Sequence, residues 1–104
     1  MALMVSYDAP DVTRDMYEAA REVIDWDHGP PAGCLLHTAS FDEAGAHIID
    51  IWETQAHIDA YLQSRFGPAL AQLGMEAGQH KIVDLHVVAV SPNIEEHFIR
   101  APAI

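Results

Sequence analysis

Positive charge is scarce in this chain, and the scarcity argues against several classes of partner. The 104 residues carry five Lys and Arg against sixteen Asp and Glu, which gives a formal net charge of −11. Proteins bind nucleic acids and anionic lipid surfaces through clustered cations. We therefore expect neither a nucleic acid nor a membrane as partner, and we interpret the acidic excess as a surface that favours solubility.

Cysteine and long apolar stretches are also lacking. The single cysteine, Cys34, cannot form a disulfide within the chain. No apolar run reaches the roughly 20 residues that a membrane-spanning helix needs. The first seven residues carry no basic segment ahead of their apolar run, so they do not resemble a signal peptide. These three observations predict a cytoplasmic protein.

The motifs of several common enzyme classes are missing as well. There is no glycine-rich phosphate loop and no Gly-x-Ser-x-Gly elbow, which argues against nucleotide and hydrolase chemistry. The seven histidines show no recognised zinc-ligand spacing. Cys34 has no adjacent base and is expected to be a small buried apolar residue. We therefore expect neither a bound metal nor another cofactor.

The composition that remains is that of one globular domain. Half of the residues are apolar and a fifth are charged, in a length that suits a single core. Apolar periodicity and turn residues predict helices that begin after Asp11 and after Thr54, with a bend or restart of the second helix at Gly67–Pro68. Strands are predicted over residues 2–7, 33–41, 46–53 and 80–90.

The element order is therefore β-α-β-β-α-β, which is the ferredoxin-like α+β plan. In this plan both helices cover one face of a four-stranded antiparallel sheet. We assign residues 1–91 to this domain and residues 92–104 to a C-terminal tail that could clasp a partner subunit.

The two faces of the sheet follow from the register of the central hairpin. A four-residue loop at 42–45 places His37 opposite Asp50 and Leu35 opposite Trp52 on one face. Since helices cover only one face, an apolar second face predicts a homodimer. The alternative is a monomer whose tail folds across that face. The face opposite His37 carries Leu36, Ile49 and Ile51, and one face of the last strand is wholly apolar, with Val83, Leu85, Val87 and Ala89.

Polar residues inside the apolar strands are the candidates for chemistry. A carboxylate beside an imidazole holds the ring's tautomer and raises its basicity, which suits His37 and Asp50 for general-base work. Asp84 and His86 stand two apart, on one face of the predicted last strand. Buried charges are costly unless they are paired. In each pair, therefore, the two polar groups either serve only as hydrogen-bond partners for each other or help to form a functional pocket.

Aromatic residues on the helices and loops are either core or the walls of such a pocket. Tyrosine hydroxyls need a partner when buried, which favours Tyr17 and Tyr61 as pocket residues. Arg65 is expected to lie along the surface. The predicted catalytic residues are His37, Asp50 and Tyr61, and the predicted substrate-binding residues are Tyr17, Trp26, Trp52, Phe66, Asp84 and His86.

Five segments resemble the antibiotic-biosynthesis-monooxygenase-like branch of the dimeric α/β barrel superfamily. The most typical is a strand that ends in an aromatic residue and Glu, then Ser or Thr, then an amphipathic helix, as in Trp52, Glu53 and Thr54. The resemblance covers about residues 1–91. The segments that carry it are 31–33, 35–37, 48–54, 56–62 and 66–70.

This resemblance implies that two sheets close into a barrel at a dimer interface and that each subunit holds a small hydrophobic molecule between its sheet and helices. Members of such families include cofactor-independent oxygenases, polyketide cyclases, lactone isomerases and haem-degrading enzymes. Tyr61 and Phe66 stand where the monooxygenase branch often places histidines, which counts against oxygenase and haem chemistry. Asp50 stands where an acidic residue is common.

The residues and the resemblance together predict a small cofactor-independent enzyme that acts on a hydrophobic or aromatic carbonyl compound. His37, oriented by Asp50, would move a proton, and Tyr61 or Tyr17 would hydrogen-bond the developing oxyanion beside an apolar wall formed by Trp52. Cyclisation, isomerisation and oxygenation remain open. The alternatives are a non-catalytic small-molecule-binding or stress-response domain and a purely structural dimer module.

Overall fold

Four antiparallel strands and the helices packed on them make up the computed structural model, which describes residues 2–99 and 101. A π-helical turn, Leu62–Phe66, joins the second and third helices, and a short 3₁₀ helix, Pro92–His97, lies in the C-terminal tail. The elements are β1 (Leu3–Ala9), α1 (Arg14–Ile24), β2 (Cys34–Asp42), β3 (Gly45–Trp52), α2 (Gln55–Tyr61), α3 (Gly67–Leu73) and β4 (Gln79–Asp84).

The strand order across the sheet is β2-β3-β1-β4, and every neighbouring pair is antiparallel. This order and the β-α-β-β-α-β sequence of elements confirm the predicted ferredoxin-like α+β fold. The tail from residue 92 makes no strand among the described residues, and its residues 100 and 102–104 lie outside them.

The helices begin at side-chain caps, one of which differs from the prediction. Thr13 caps α1 by accepting the Met16 N–H at 3.2 Å, so the prediction of Asp11 as the cap is wrong by two residues. Thr54 caps α2 through the His57 N–H at 3.2 Å, as predicted.

The bend predicted at Gly67–Pro68 is a change of helix type. The Gly67 N–H bonds to the Leu62 carbonyl five residues back, which is the π-helical pattern, and Pro68 lies in the first turn of α3. No helix in the described part of the chain has the length and apolar character to cross a bilayer.

The central hairpin has the predicted register with a tighter turn. His37 pairs with Asp50 and Phe41 with Ala46, as predicted. The strands continue one residue further on each side, to Asp42 and Gly45, so the turn holds two residues instead of four. Gly45 has a φ of +106°, and a Cβ there would lie 2.5 Å from the carbonyl oxygen of Ala9, so this close approach requires glycine.

A β-bulge corrects the prediction at the other end of the hairpin. Cys34 lies opposite Trp52, and the register shifts between Cys34 and Leu36. The extra residue, Leu35, is left out of the ladder and is 55% exposed, so the predicted pair of Leu35 with Trp52 does not form.

The last strand is shorter than predicted. β4 ends at Asp84, which pairs with Leu3 at the start of β1. Within the described residues, one further backbone bond joins the two segments beyond this point, from the Leu85 N–H to the Ala2 carbonyl at 2.9 Å. After Leu85 the chain leaves the sheet, although its residues favour a strand. Val87 and Val90 are consequently exposed.

The core lies between the helices and the inner face of the sheet, which carries Ala46, Ile48, Asp50 and Trp52. Trp52 and Ile58 are its largest fully buried side chains, each 2% exposed. Most of the other buried residues are alanines, so the layer between sheet and helices is not filled by side chains. The buried residues are Ala9, Ala20, Ala46, Trp52, Ile58, Ala69 and Leu70.

Candidate functional site

A partly open cavity of about 110 Å³ lies between the inner face of the sheet and the helices. Its walls are mainly apolar and aromatic. The aromatic residues that line it, six of the eight in the chain, are Tyr7, Tyr17, Trp26, Trp52, Tyr61 and Phe66. His37 and Asp50 also line it, so seven of the nine predicted site residues are brought to one cavity.

Asp50, His37 and Tyr17 form a chain of hydrogen bonds along the cavity wall. The cross-strand register places Asp50 of β3 beside His37 of β2, with 2.7 Å between Oδ1 and the imidazole Nδ1. α1 brings the Tyr17 hydroxyl to 2.6 Å from the opposite ring nitrogen, Nε2. All three side chains are partly buried.

The chemistry of the partners fixes the direction of these bonds. An ionised carboxylate only accepts, so Nδ1 of His37 carries the proton and donates it to Asp50. In the neutral ring Nε2 is then the acceptor, and the Tyr17 hydroxyl donates to it. Burial raises the pKa of Tyr17 above its ordinary value of 10, which the nearby Arg21 guanidinium offsets only in part, so the phenol is protonated at neutral pH.

The rings of Tyr17 and Trp26 lie next to the imidazole ring of His37. The Tyr17 ring lies nearly parallel to it, with centroids 6.0 Å apart, and the Trp26 ring lies 5.7 Å away on the loop between α1 and β2. These contacts restrict rotation of the ring and displace water around it. The base of the predicted site is therefore positioned by both hydrogen bonds and packing.

Tyr61 stands in a second aromatic group within the same cavity. Its ring centroid lies 5.2 Å from that of Trp52 and 5.7 Å from that of Phe66. Its hydroxyl makes no hydrogen bond with any residue that the structure describes. Burial raises the pKa of Tyr61 strongly, so this hydroxyl is a neutral donor that a ligand can use.

Arg65 does not lie free along the surface as predicted. Its guanidinium donates to the Ile24 carbonyl at 2.5 Å and to the Gly29 carbonyl at 2.6 Å. It thereby ties the π-helical turn to the loop that carries Trp26. The partners are 36 and 41 residues away in sequence, so no local pattern could have indicated this role.

The predicted second polar pair is not assembled. Asp84 is the last residue of β4 and is exposed, while His86 lies beyond the strand and is also exposed. Neither lines the cavity, because the alternation on which the prediction rested stops where β4 ends. Sequence reasoning missed Tyr7, Arg21, Met75 and His80 as lining residues.

A nucleophilic cysteine and a metal site are the remaining possibilities for chemistry. Burial raises the pKa of the Cys34 thiol to about 12, so at neutral pH it is protonated and a poor nucleophile. Within residues 2–99 and 101, no three side chains of His, Cys, Asp or Glu are grouped so that they could hold a metal ion.

Comparison with known proteins gives a structural likeness only. No protein-family model and no curated protein sequence matches the chain. A protein of unknown function from Nitrosomonas europaea has a TM-score of 0.61 at 14% identity, over 86% of this chain and 92% of its own.

Two further solved structures have named activities. The cofactor-independent oxygenase SnoaB from Streptomyces nogalater has a TM-score of 0.60 at 15% identity, over 84% of this chain and 94% of its own. An antibiotic biosynthesis monooxygenase has a TM-score of 0.53 at 16% identity, over 82% of this chain and 98% of its own. The chain therefore has the ferredoxin-like fold of the antibiotic-biosynthesis-monooxygenase-like proteins, as its sequence resemblance implied.

Proposed function

We propose that the protein is a small cofactor-independent enzyme that removes a proton from a hydrophobic carbonyl compound bound in the aromatic cavity. The observation that carries this proposal is the hydrogen-bonded chain of Asp50, His37 and Tyr17 in the cavity wall. A base that is oriented by a carboxylate and enclosed by apolar surface is the arrangement that proton abstraction next to a carbonyl requires.

The proton moves along the existing hydrogen bonds. Both nitrogens of His37 are engaged, so the atom that meets the substrate is the Tyr17 oxygen. As Tyr17 takes the proton from the substrate carbon, its own proton passes to Nε2. The products are a substrate enolate and an imidazolium that the Asp50 carboxylate stabilises. Tyr61 donates a hydrogen bond to the enolate oxygen, and Trp52 forms the apolar wall.

The enolate is common to cyclisation, isomerisation and oxygenation. Among the solved structures of this fold is a cofactor-independent oxygenase, which favours oxygenation. In that reaction the enolate carbon passes electrons to O₂, a CH₂ group becomes a carbonyl, and the second oxygen atom leaves as water. In this chain the proposed base, His37, lies on the sheet. The monooxygenase branch that the sequence resembles often has histidines on the second helix instead, where this chain has Tyr61 and Phe66.

We also propose that the protein is a homodimer through the outer face of the sheet. One row of directly paired residues crosses all four strands and is wholly apolar: Leu36, Ile51, Met4 and Val83. Ile49, in the next row, is 43% exposed. A second copy would cover this row around a two-fold axis, which is the closed arrangement that a self-complementary face favours.

The second candidate function is non-catalytic binding of a small molecule. The cavity itself favours it, because a mainly apolar pocket with few polar groups also serves a carrier or sensor. The two candidates differ in whether Tyr17, backed by His37, takes a proton from the bound molecule.

Deuterium exchange into cyclohexanone in D₂O, followed by mass spectrometry, tests the proposal without knowledge of the natural substrate. The wild-type protein should accelerate exchange at the carbons beside the carbonyl. His37→Ala should lower the accelerated rate by roughly 10²–10⁴-fold, and Asp50→Asn should lower it less, because the base remains. The matched control is His28→Ala, since His28 is exposed and also bonds to an aspartate, Asp25.

Each outcome of this assay separates the candidates. Saturable binding of cyclohexanone without accelerated exchange would favour the non-catalytic function. Equal rates in wild type and His37→Ala, with both proteins folded by circular dichroism, would refute the role of His37.

A further inference from the structure

We infer that the cavity selects uncharged compounds of a single six-membered ring that carry a hydroxyl or a carbonyl group, and that it rejects carboxylates. This inference deepens the proposed function and rests on the same cavity. It concerns binding alone, so it can fail while the catalytic proposal stands, and the reverse also holds.

The size of the cavity suits one small ring. Its volume is about 110 Å³, and it is partly open. An enclosed apolar cavity of roughly 150 Å³ takes up benzene, whereas sites for drug-sized ligands are typically about 300–1,000 Å³. One ring therefore fills most of the space between the walls, and a substituent can extend towards the open side.

The walls favour a flat ring over a flexible chain. Trp52 and Tyr61 pack with centroids 5.2 Å apart on one part of the cavity, and Trp26 and His37 lie 5.7 Å apart on another. Aromatic faces give their most favourable contacts to other planar rings. Ala20 on α1 also lines the cavity, and because it is buried, a larger side chain there would enter the ligand space.

The charges around the cavity disfavour an anion. Among the described lining residues, Arg21 is the one permanent cation, and it is already engaged by Asp27 and by Glu18 at 3.5 Å. The Asp50 carboxylate also lines the cavity, within a chain whose net charge is −11. A carboxylate ligand would lose its hydration and meet a like charge without a free cation to compensate.

The polar groups define what the ring must carry. The Tyr61 hydroxyl is a donor without a protein partner among the described residues, whereas Tyr17 is bonded to His37. An oxygen substituent on the ligand satisfies Tyr61, so a ring with a hydroxyl or carbonyl oxygen should bind better than the same ring with a methyl group.

The two tryptophans of the chain make the test direct, since both line the cavity. In ¹⁵N-labelled protein each gives one indole N–H resonance, for Trp26 and for Trp52. Phenol should shift both resonances saturably. At the same concentrations benzoate, which adds a charge to one ring, should leave them unchanged. Benzoate binding as tightly as phenol would overturn the inference, and so would the absence of any shift with phenol.

Two variants test whether phenol binds in the cavity and whether the Tyr61 hydroxyl contributes to its binding. Ala20→Leu should weaken phenol binding at least tenfold, and the control Ala60→Leu, at an exposed position of α2, should not.

Tyr61→Phe should weaken phenol binding roughly fivefold and leave toluene binding unchanged. Equal losses for phenol and toluene in Tyr61→Phe would contradict the role of the hydroxyl. The same spectra show whether each variant is folded.

Discussion

We propose different tasks for two tyrosines of the cavity, because among the described residues only one of the two hydroxyls has a hydrogen-bond partner. The Tyr17 hydroxyl is bonded to His37 at 2.6 Å, while that of Tyr61 is unpartnered among the described residues. The proposed mechanism therefore assigns proton exchange to Tyr17 and oxygen binding to Tyr61.

Tyr17→Phe tests the first of these tasks. The substitution removes the atom that meets the substrate but leaves the imidazole free to act at a longer distance. We expect the exchange rate to fall roughly a hundredfold, with the affinity for cyclohexanone little changed. An unchanged rate would mean that His37 acts on the ligand without Tyr17. A rate as low as that of His37→Ala would mean that the imidazole cannot act alone.

Tyr61 also makes a measurable contribution to stability at high pH. Burial raises its pKa in the folded state above the ordinary value of 10, so above about pH 10 the unfolded chain loses this proton while the folded chain keeps it. The free energy of unfolding should therefore fall above about pH 10, by up to about 1.4 kcal/mol per pH unit for this tyrosine. Below that pH its contribution is fully present.

Urea unfolding of wild type and Tyr61→Phe from about pH 9 to about pH 11 measures this effect, because phenylalanine does not titrate. The fall in stability should be shallower in the variant. Parallel curves for the two proteins would show that Tyr61 ionises equally easily in both states.

At the scale of elements, the sequence was most informative where a pattern is local. The alternation in the central hairpin predicted the pairing of His37 with Asp50, and adding one residue pair at the turn did not alter that register. The bulge at Leu35 and the end of β4 at Asp84 were not predictable. The first depends on how the chain enters the sheet after Gly33, and the second on how far the neighbouring β1 extends.

The contacts that complete the site are long-range and left no local signal. Tyr17 could be proposed as a pocket residue from its helix alone, but its bond to His37 depends on how α1 packs on the sheet. Likewise, the loop that carries Trp26 is held by Arg65 from another element. Residue types and the partner within the hairpin were therefore predictable, whereas partners on other elements were not.

Arg65→Met tests whether this attachment matters. Methionine keeps the aliphatic bulk but removes both hydrogen bonds, to Ile24 and Gly29, at a cost of about 1–3 kcal/mol. We expect faster amide hydrogen exchange in the loop over residues 25–33 and weaker phenol binding, with the fold retained. Arg14→Met is the control, since Arg14 is exposed and lies over the Phe41 ring. Equal amide hydrogen exchange of this loop in Arg65→Met and Arg14→Met would show that Arg65 does not hold it.

At the scale of the whole molecule, the two faces of the sheet differ in what they present. The inner face carries the cavity, and the outer face presents the apolar row of Leu36, Ile51, Met4 and Val83. A domain of this size rarely leaves such a face exposed to water. The contribution of the tail from residue 92 to the dimer stays a prediction.

Sedimentation of wild type and Ile49→Lys tests the dimer. We expect the wild-type protein to be a dimer at micromolar concentration, with an interface of over roughly 1,500 Å² in total. A lysine beside the apolar row should dissociate it, whereas Val23→Lys, at an exposed position of α1, should not. A monomeric wild-type protein would refute the proposed interface.

The central claim is that His37 accepts, through Tyr17, the proton that is removed from the ligand, and cyclohexanone exchange by His37→Gln tests it most directly. Glutamine keeps a polar side chain at this position but has no basic nitrogen, so the accelerated rate should fall by roughly 10²–10⁴-fold. A wild-type exchange rate in a folded His37→Gln variant would contradict the claim.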